Sequence, residues 1–184
     1  MKLSMLSVLL GLGMAAPQIY GLARPTAFTA AVRKFPRSLP AGYFLMALGT
    51  LWFLWNVKQE SLADFAAYKP IMMAAFGLIG LGTCIFVQDF LAVRGLAIVL
   101  MLLAKLMVDT GRPHLGETPW VLVIQTWAYL LIVAGMWFTV SPWRLRNFLN
   151  WSTGSEKRVR VGSAVRLAFA LGVVLLGLTA FRAM

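Results

Sequence analysis

Four stretches of this chain run for about twenty residues without a charged side chain, and that fixes what it can fold into. Residues 3–23 hold 21, residues 38–57 hold 20, residues 70–88 hold 19 and residues 118–143 hold 26. A helix rises 1.5 Å per residue, so about 20 residues cross the roughly 30 Å of hydrocarbon in a bilayer. Membrane strands would instead alternate polar and apolar positions over about 10 residues, a pattern absent from the sequence. Two further stretches are apolar but carry or abut charge. Residues 90–110 contain Arg94, Lys105 and Asp109, and the uncharged residues 167–181 number only 15. Arg166 and Arg182 extend that last stretch by reaching for the headgroups.

The expectation is an all-α fold, a polytopic transmembrane helix bundle of about six spanning helices in three hairpins. A single integral membrane domain fills residues 1–184, with spans at about 3–23, 38–57, 70–88, 90–110, 118–143 and 164–182. Charged residues make up 12% of the chain, half of the roughly 25% usual in soluble domains, so no stretch is left for a separate soluble domain. The first run has the lysine, apolar core and small residues of a secretory signal. Pro17 would follow an Ala15-Ala16 cut, which disfavours cleavage, so the run is read as the first span.

Seventeen Lys and Arg against six Asp and Glu give a net charge of +11. The cations gather between the apolar runs, which is the pattern of membrane orientation and of anionic lipid headgroups, not of nucleic-acid binding. With the N-terminus outside, segments 24–40, 88–94 and 142–166 face the cytoplasm and hold 11 of the 17 cations. Lys2, Lys58, Lys69, Arg112 and Arg182 then lie outside, and Lys105 remains at membrane depth. The positive-inside rule therefore places both termini outside a bacterial-type inner membrane, that is, the cell membrane. Tyr20, Tyr43, Trp55, Tyr68, Trp120 and Trp143 fall near the expected span ends, where amphipathic rings settle.

Two basic loops, 24–37 and 142–163, look like more than tethers. A proline opens each, and Phe28, Val32 and Phe35 in one, and Leu145, Phe148 and Leu149 in the other, form apolar faces. Both suit short helices lying in the headgroup plane. Ser152, Thr153, Gly154 and Ser155 read as a turn, with Ser155 placed to cap the last helix.

Residues 88–114 are the only strongly apolar segment with ionisable residues inside it. At 100° per residue, Lys105 and Arg112 fall within about 20° of Arg94 on a helix, and Asp109 sits four residues after Lys105, where the two pair. Arg94, Lys105, Asp109 and Arg112 are thus the candidate functional stripe. Snorkelling alone accounts for Arg94 and Lys105, because intervening residues 95–104 cover only about 15 Å. A polar cavity lined in addition by Gln125, Thr126, Tyr129, Thr50 and Asn56 is the functional alternative.

Other constellations are weaker. Asp109, His114 and Glu117 lie close in sequence, but with Arg112 among them and at no established metal spacing. Asp109-Thr110-Gly111 spells an aspartic-protease tripeptide, yet that chemistry needs two aspartates on strand-built loops. Gly77, Gly80 and Gly82 follow no strand, so they read as helix-packing residues, as do Ala168 and Gly172. Cys84, alone, cannot form an internal disulfide. With no histidine at membrane depth, no cofactor, metal or enzymatic function is expected. The sequence favours an accessory or scaffold subunit of a membrane assembly, with a partner membrane protein or further copies of itself. The alternative is a small oligomeric transporter or channel for an anionic solute or lipid, using the charged face of the fourth span.

Overall fold

The computed structural model of the protein describes residues 2–60 and 63–182. Eight α-helices and no strand occur among them. They are α1 (Leu3–Ala23), α2 (Pro25–Lys34), α3 (Leu39–Gln59), α4 (Lys69–Phe86), α5 (Leu91–Gly111), α6 (Val121–Val140), α7 (Trp143–Ser152) and α8 (Glu156–Leu178). Five helical stretches are long and apolar enough to cross a membrane: α1, Ala66–Phe86, Leu91–His114, α6 and α8. α3 passes the same test only together with the segment Pro25–Arg37, from which it is bent by 64°.

Proline and serine set many of the boundaries. Pro25 opens α2, Pro40 and Pro70 stand in the first turns of α3 and α4, where a missing N–H costs nothing. Ser38 accepts a hydrogen bond from the Ala41 amide, and Ser155 accepts one from Arg158, as its position suggested. Both basic loops are largely helical. α6 is shorter than the uncharged run 118–143, because Pro142 and a turn at 118–120 end it on either side. α8 starts eight residues ahead of the expected 164, since the cap at Ser155, not the end of the charged residues, decides where it begins.

The chain divides into two compact units whose boundaries fall inside α2, α5, α6 and α7. The first comprises Met1–Arg33, Leu103–Leu131 and Arg146–Met184. Its backbone is the α1–α8 pair, packed antiparallel so closely that small residues are obligatory. A Cβ on Gly11 would stand 2.5 Å from Val174 Cγ2 and 2.7 Å from the Ala170 carbonyl oxygen, and one on Gly177 would stand 2.9 Å from Val8 Cγ2. The seam on α1 is Ser7, Gly11, Ala15, Gln18 and Gly21, all buried, and on α8 it is Ser163, Ala170, Val173 and Gly177. The small pair Ala168 and Gly172 does not form it: Ala168 is exposed, and a Cβ on Gly172 would meet nothing within 4 Å. Those two lie a face away from the seam residues.

The second unit comprises Lys34–Leu102 and Ile132–Leu145. Here Gly95 of α5 lies against Leu45 and Met46 of α3, where a Cβ would come within 2.8 Å of each. Gly80 of α4 takes Thr50 of α3 at 2.5 Å on the same measure, whereas Gly77 and Gly82 meet nothing closer than 3.8 Å. Phe53 and Phe76 add an edge-to-face contact at 5.0 Å. The turn into α5 places Phe90 at φ 53°, a left-handed conformation unusual for a large side chain, and buries its ring under Arg37.

Outside these seams the surface is apolar. Leu51, Leu78, Leu130 and Val140 are each more than three-fifths exposed. Soluble proteins rarely tolerate contiguous surface of this kind, and lipid-facing helices require it. Tyr20, Tyr43, Trp55, Tyr68, Trp120 and Trp143 are all exposed and lie at or beside helix ends, as interfacial aromatics do.

Gly11→Ala forces a methyl onto the Ala170 carbonyl and lowers stability by about 1–3 kcal/mol, the usual cost of overpacking. Gly172→Ala leaves thermal unfolding in detergent unchanged or slightly raised, since it adds helix propensity in open space. Equal loss in both variants would contradict the packing described.

Candidate functional site

Of the charged stripe, Lys105 and Asp109 come together. Lys105 Nζ lies 2.6 Å from Asp109 Oδ2, one turn apart on an exposed face of α5. Arg94 lies eleven residues earlier on α5, in the other unit, half-buried, with its Nε enclosed and without a hydrogen-bond partner. Arg112 has left the helix: α5 ends at Gly111, and Arg112 opens a 3₁₀ turn, Arg112–His114, because Pro113 follows it.

Of the polar residues proposed to line a cavity, three have contacts of their own. Gln125 donates to the Val108 carbonyl at 3.3 Å, Asn56 donates to the Trp52 carbonyl at 2.9 Å, and Thr50 packs on Gly80. Thr126 and Tyr129 are exposed on α6. In the loop after α5, His114 Nδ1 lies 3.0 Å from Glu117 Oε1 while Asp109 is held by Lys105. Among the described residues no three metal-ligating side chains gather. Sequence proximity suggested a trio there; local pairing within helical reach divides it.

The most polar junction is one that sequence spacing did not reveal. Arg33, at the end of α2, donates from Nε to Thr153 Oγ1 and from a terminal nitrogen to the Thr153 carbonyl, both at 2.9 Å. Thr153 is buried, and its hydroxyl in turn donates to the Leu149 carbonyl at 2.7 Å. The two short amphipathic helices, 120 residues apart in sequence, are thereby clasped at the foot of α8. Phe28 and Val32 of α2 and Leu149 of α7 turn inward there, the apolar faces already evident in the two loops. A pocket of about 450 Å³ opens between α2, α7 and α8, with Lys157, Arg158, Ser163 and Arg166 in its wall. Arg158 also stacks over Trp151 at 5.7 Å and reaches the Trp151 carbonyl at 3.4 Å. Glu156, the acid nearest in sequence, is engaged by Arg160 at 2.7 Å. Nothing in the local sequence paired Arg33 with Thr153; the inward faces were the only available signal.

The chain matches no family model, no curated protein and no solved structure.

Thr153→Val keeps the side-chain shape but removes the hydroxyl that accepts from Arg33, at a cost of about 1 kcal/mol. Limited proteolysis within 24–38 is expected to quicken several-fold in this variant and to stay near the parent rate in Thr153→Ser. Identical rates in all three proteins would show that the clasp does not hold α2.

Proposed function

We propose that this chain is a six-span protein of a bacterial-type inner membrane, with both termini outside, that serves as an accessory or scaffold subunit of a membrane assembly. In this reading α1, α3, α4, α5, α6 and α8 are the spans, paired as three hairpins. The amphipathic α2 and α7 lie on the cytoplasmic surface, with Arg24, Arg33, Lys34, Arg37, Arg144 and Arg146 on or beside them to meet anionic headgroups.

The observation that carries the subunit role is the sparse packing of α4. Only 6% of its apolar stretch is buried, against 44% for that of α5. Its close contacts are those with α3 through Gly80 and Phe76, while Ile71, Leu78, Ile79, Leu81 and Ile85 are exposed. Helices in lipid are held in place by close packing, and α4 has it only on its α3 side; in this reading a companion helix packs on the open face.

Extraction from native membranes in mild detergent is expected to yield a particle with one stoichiometric companion protein. A photo-crosslinking residue at Leu78 captures that companion, and one at Leu130 on α6 does not. A particle holding this chain alone would remove the subunit reading. For orientation, a single cysteine at Glu117 in a Cys84→Ser background reacts with an impermeant thiol reagent in intact cells, and one at Arg160 reacts only after lysis.

A second reading, an oligomeric transporter or channel for an anionic solute or lipid, is favoured by Arg94, whose enclosed and unpartnered Nε is costly in an apolar surround. It requires that cysteines at positions 94, 98, 101 and 105 react with polar thiol reagents in the membrane. Inert cysteines along that face would end it.

A further inference from the structure

We propose that the pocket between α2, α7 and the start of α8 binds the phosphate of one anionic phospholipid drawn from the adjacent leaflet. The inference starts from Ser163. Hydroxyls on helices in hydrophobic surroundings close back onto the carbonyl four residues earlier, and this chain follows that habit elsewhere. Ser7 donates to Leu3 at 2.9 Å, Thr83 to Ile79 at 2.8 Å, Thr139 to Gly135 at 2.9 Å and Thr179 to Leu175 at 2.6 Å. Ser163 does not. It is 1% exposed, its Oγ has no hydrogen-bond partner, and it lines the pocket as its most enclosed residue. Its Oγ lies against Gly21 on the α1 side of the pocket, and a buried polar group left unsatisfied costs about 1–3 kcal/mol, which a hydrogen bond to an occupant of the pocket removes.

The rest of the lining specifies the charge and shape of that partner. Lys157, Arg158 and Arg166 contribute three cations, and no carboxylate belongs to the wall. The Glu156 carboxylate next to it is already neutralised by Arg160. Guanidinium groups and a hydroxyl donor are the usual partners of phosphate oxygens, and an unpartnered hydroxyl can donate where an amide cannot reach. Beside Ser152 and Thr153, whose hydroxyls donate to the Leu149 carbonyl, the wall holds Phe28, Val32, Leu149, Val159 and Val161, an apolar surface that suits the glycerol and first methylenes of a lipid. Trp151 at the rim marks interfacial depth. The placement of this leaflet on the cytoplasmic side rests on the orientation proposed above; the binding itself does not, and is testable without it.

The test uses the full chain, purified in mild detergent and examined by native mass spectrometry during titration with phosphatidylglycerol or phosphatidylcholine. One phosphatidylglycerol is expected to stay bound per chain, at least about tenfold (about 1.4 kcal/mol) more tightly than phosphatidylcholine, because the two share the phosphodiester but the choline ammonium brings a positive charge up to Lys157, Arg158 and Arg166. Arg158→Gln with Arg166→Gln abolishes that preference, and Ser163→Ala weakens it severalfold, while Arg24→Gln with Lys34→Gln, which removes equal charge outside the pocket, preserves it. Ser163→Ala keeps the helix and its packing, so its effect is readable even where the double arginine variant is poorly folded. Equal retention of the two lipids, or equal loss in the control variant, would overturn the proposal. Displacement by millimolar inorganic phosphate would overturn its lipid identity and assign the site to a soluble phosphate. Because no arm depends on which leaflet is cytoplasmic, a wrong orientation and a wrong site would be told apart by the cysteine labelling described earlier.

Discussion

Hydrocarbon supplies no hydrogen bonds, and that single constraint explains most of this architecture. A chain with five helices long and apolar enough to cross a membrane must satisfy its backbone within each helix, so the boundaries fall where prolines, capped serines and turns leave the fewest free amides. The same constraint governs side chains. Ser7, Thr83, Thr139 and Thr179 spend their protons on the carbonyl one turn earlier, and Asn56 and Gln125 donate to carbonyls of Trp52 and Val108. Polar residues in these helices are thus mostly silent. Among the buried side-chain atoms of the described residues, Gln18 Oε1, Arg94 Nε and Ser163 Oγ stand outside that habit.

Removing the hydrophobic force between helices leaves packing as the source of cohesion. Each unit solves this in the same way, by letting a helix backbone touch its neighbour where a glycine stands. Gly11, Gly21 and Gly177 do so between α1 and α8, and Gly80 and Gly95 do so around α3. Dispersion contacts are individually worth only about 0.1–0.2 kcal/mol, so they accumulate only when surfaces approach this closely.

How much of this was legible in the sequence depended on the kind of signal. Uncharged runs located α1 to the residue and most other apolar helices to within about two or three, because burial in lipid tolerates almost no charge along a span. At α8 two signals disagreed: Ser155 read correctly as the cap of the last helix, while the span was expected to start only at 164, because a rule that ends spans at charges excludes first turns carrying Lys157, Arg158 and Arg160. The seam glycines were misassigned in part, since Gly172 and Gly11 look alike in sequence, and only the partner helix distinguishes them. The α5 stripe was half legible. Lys105 and Asp109 pair through local helical spacing, whereas Arg112 depended on a helix that Pro113 stops. The Arg33–Thr153 clasp joins segments 120 residues apart and had no local signal at all.

Charge distribution completes the argument. The chain has six carboxylates for seventeen cations, and three of those carboxylates are taken up locally by Lys105, His114 and Arg160. Local pairing of this kind leaves the surplus of +11 without compensation inside the protein. Much of that surplus sits on or beside α2, α7 and the first turns of α8. At a membrane surface the abundant counter-charge is lipid phosphate, and each cation near an anionic surface gains about 1 kcal/mol from it. The clasp fixes α2 against the turn after α7 and so places Lys157, Arg158 and Arg166 in the wall of one concavity, the geometry on which the proposed phosphate site rests.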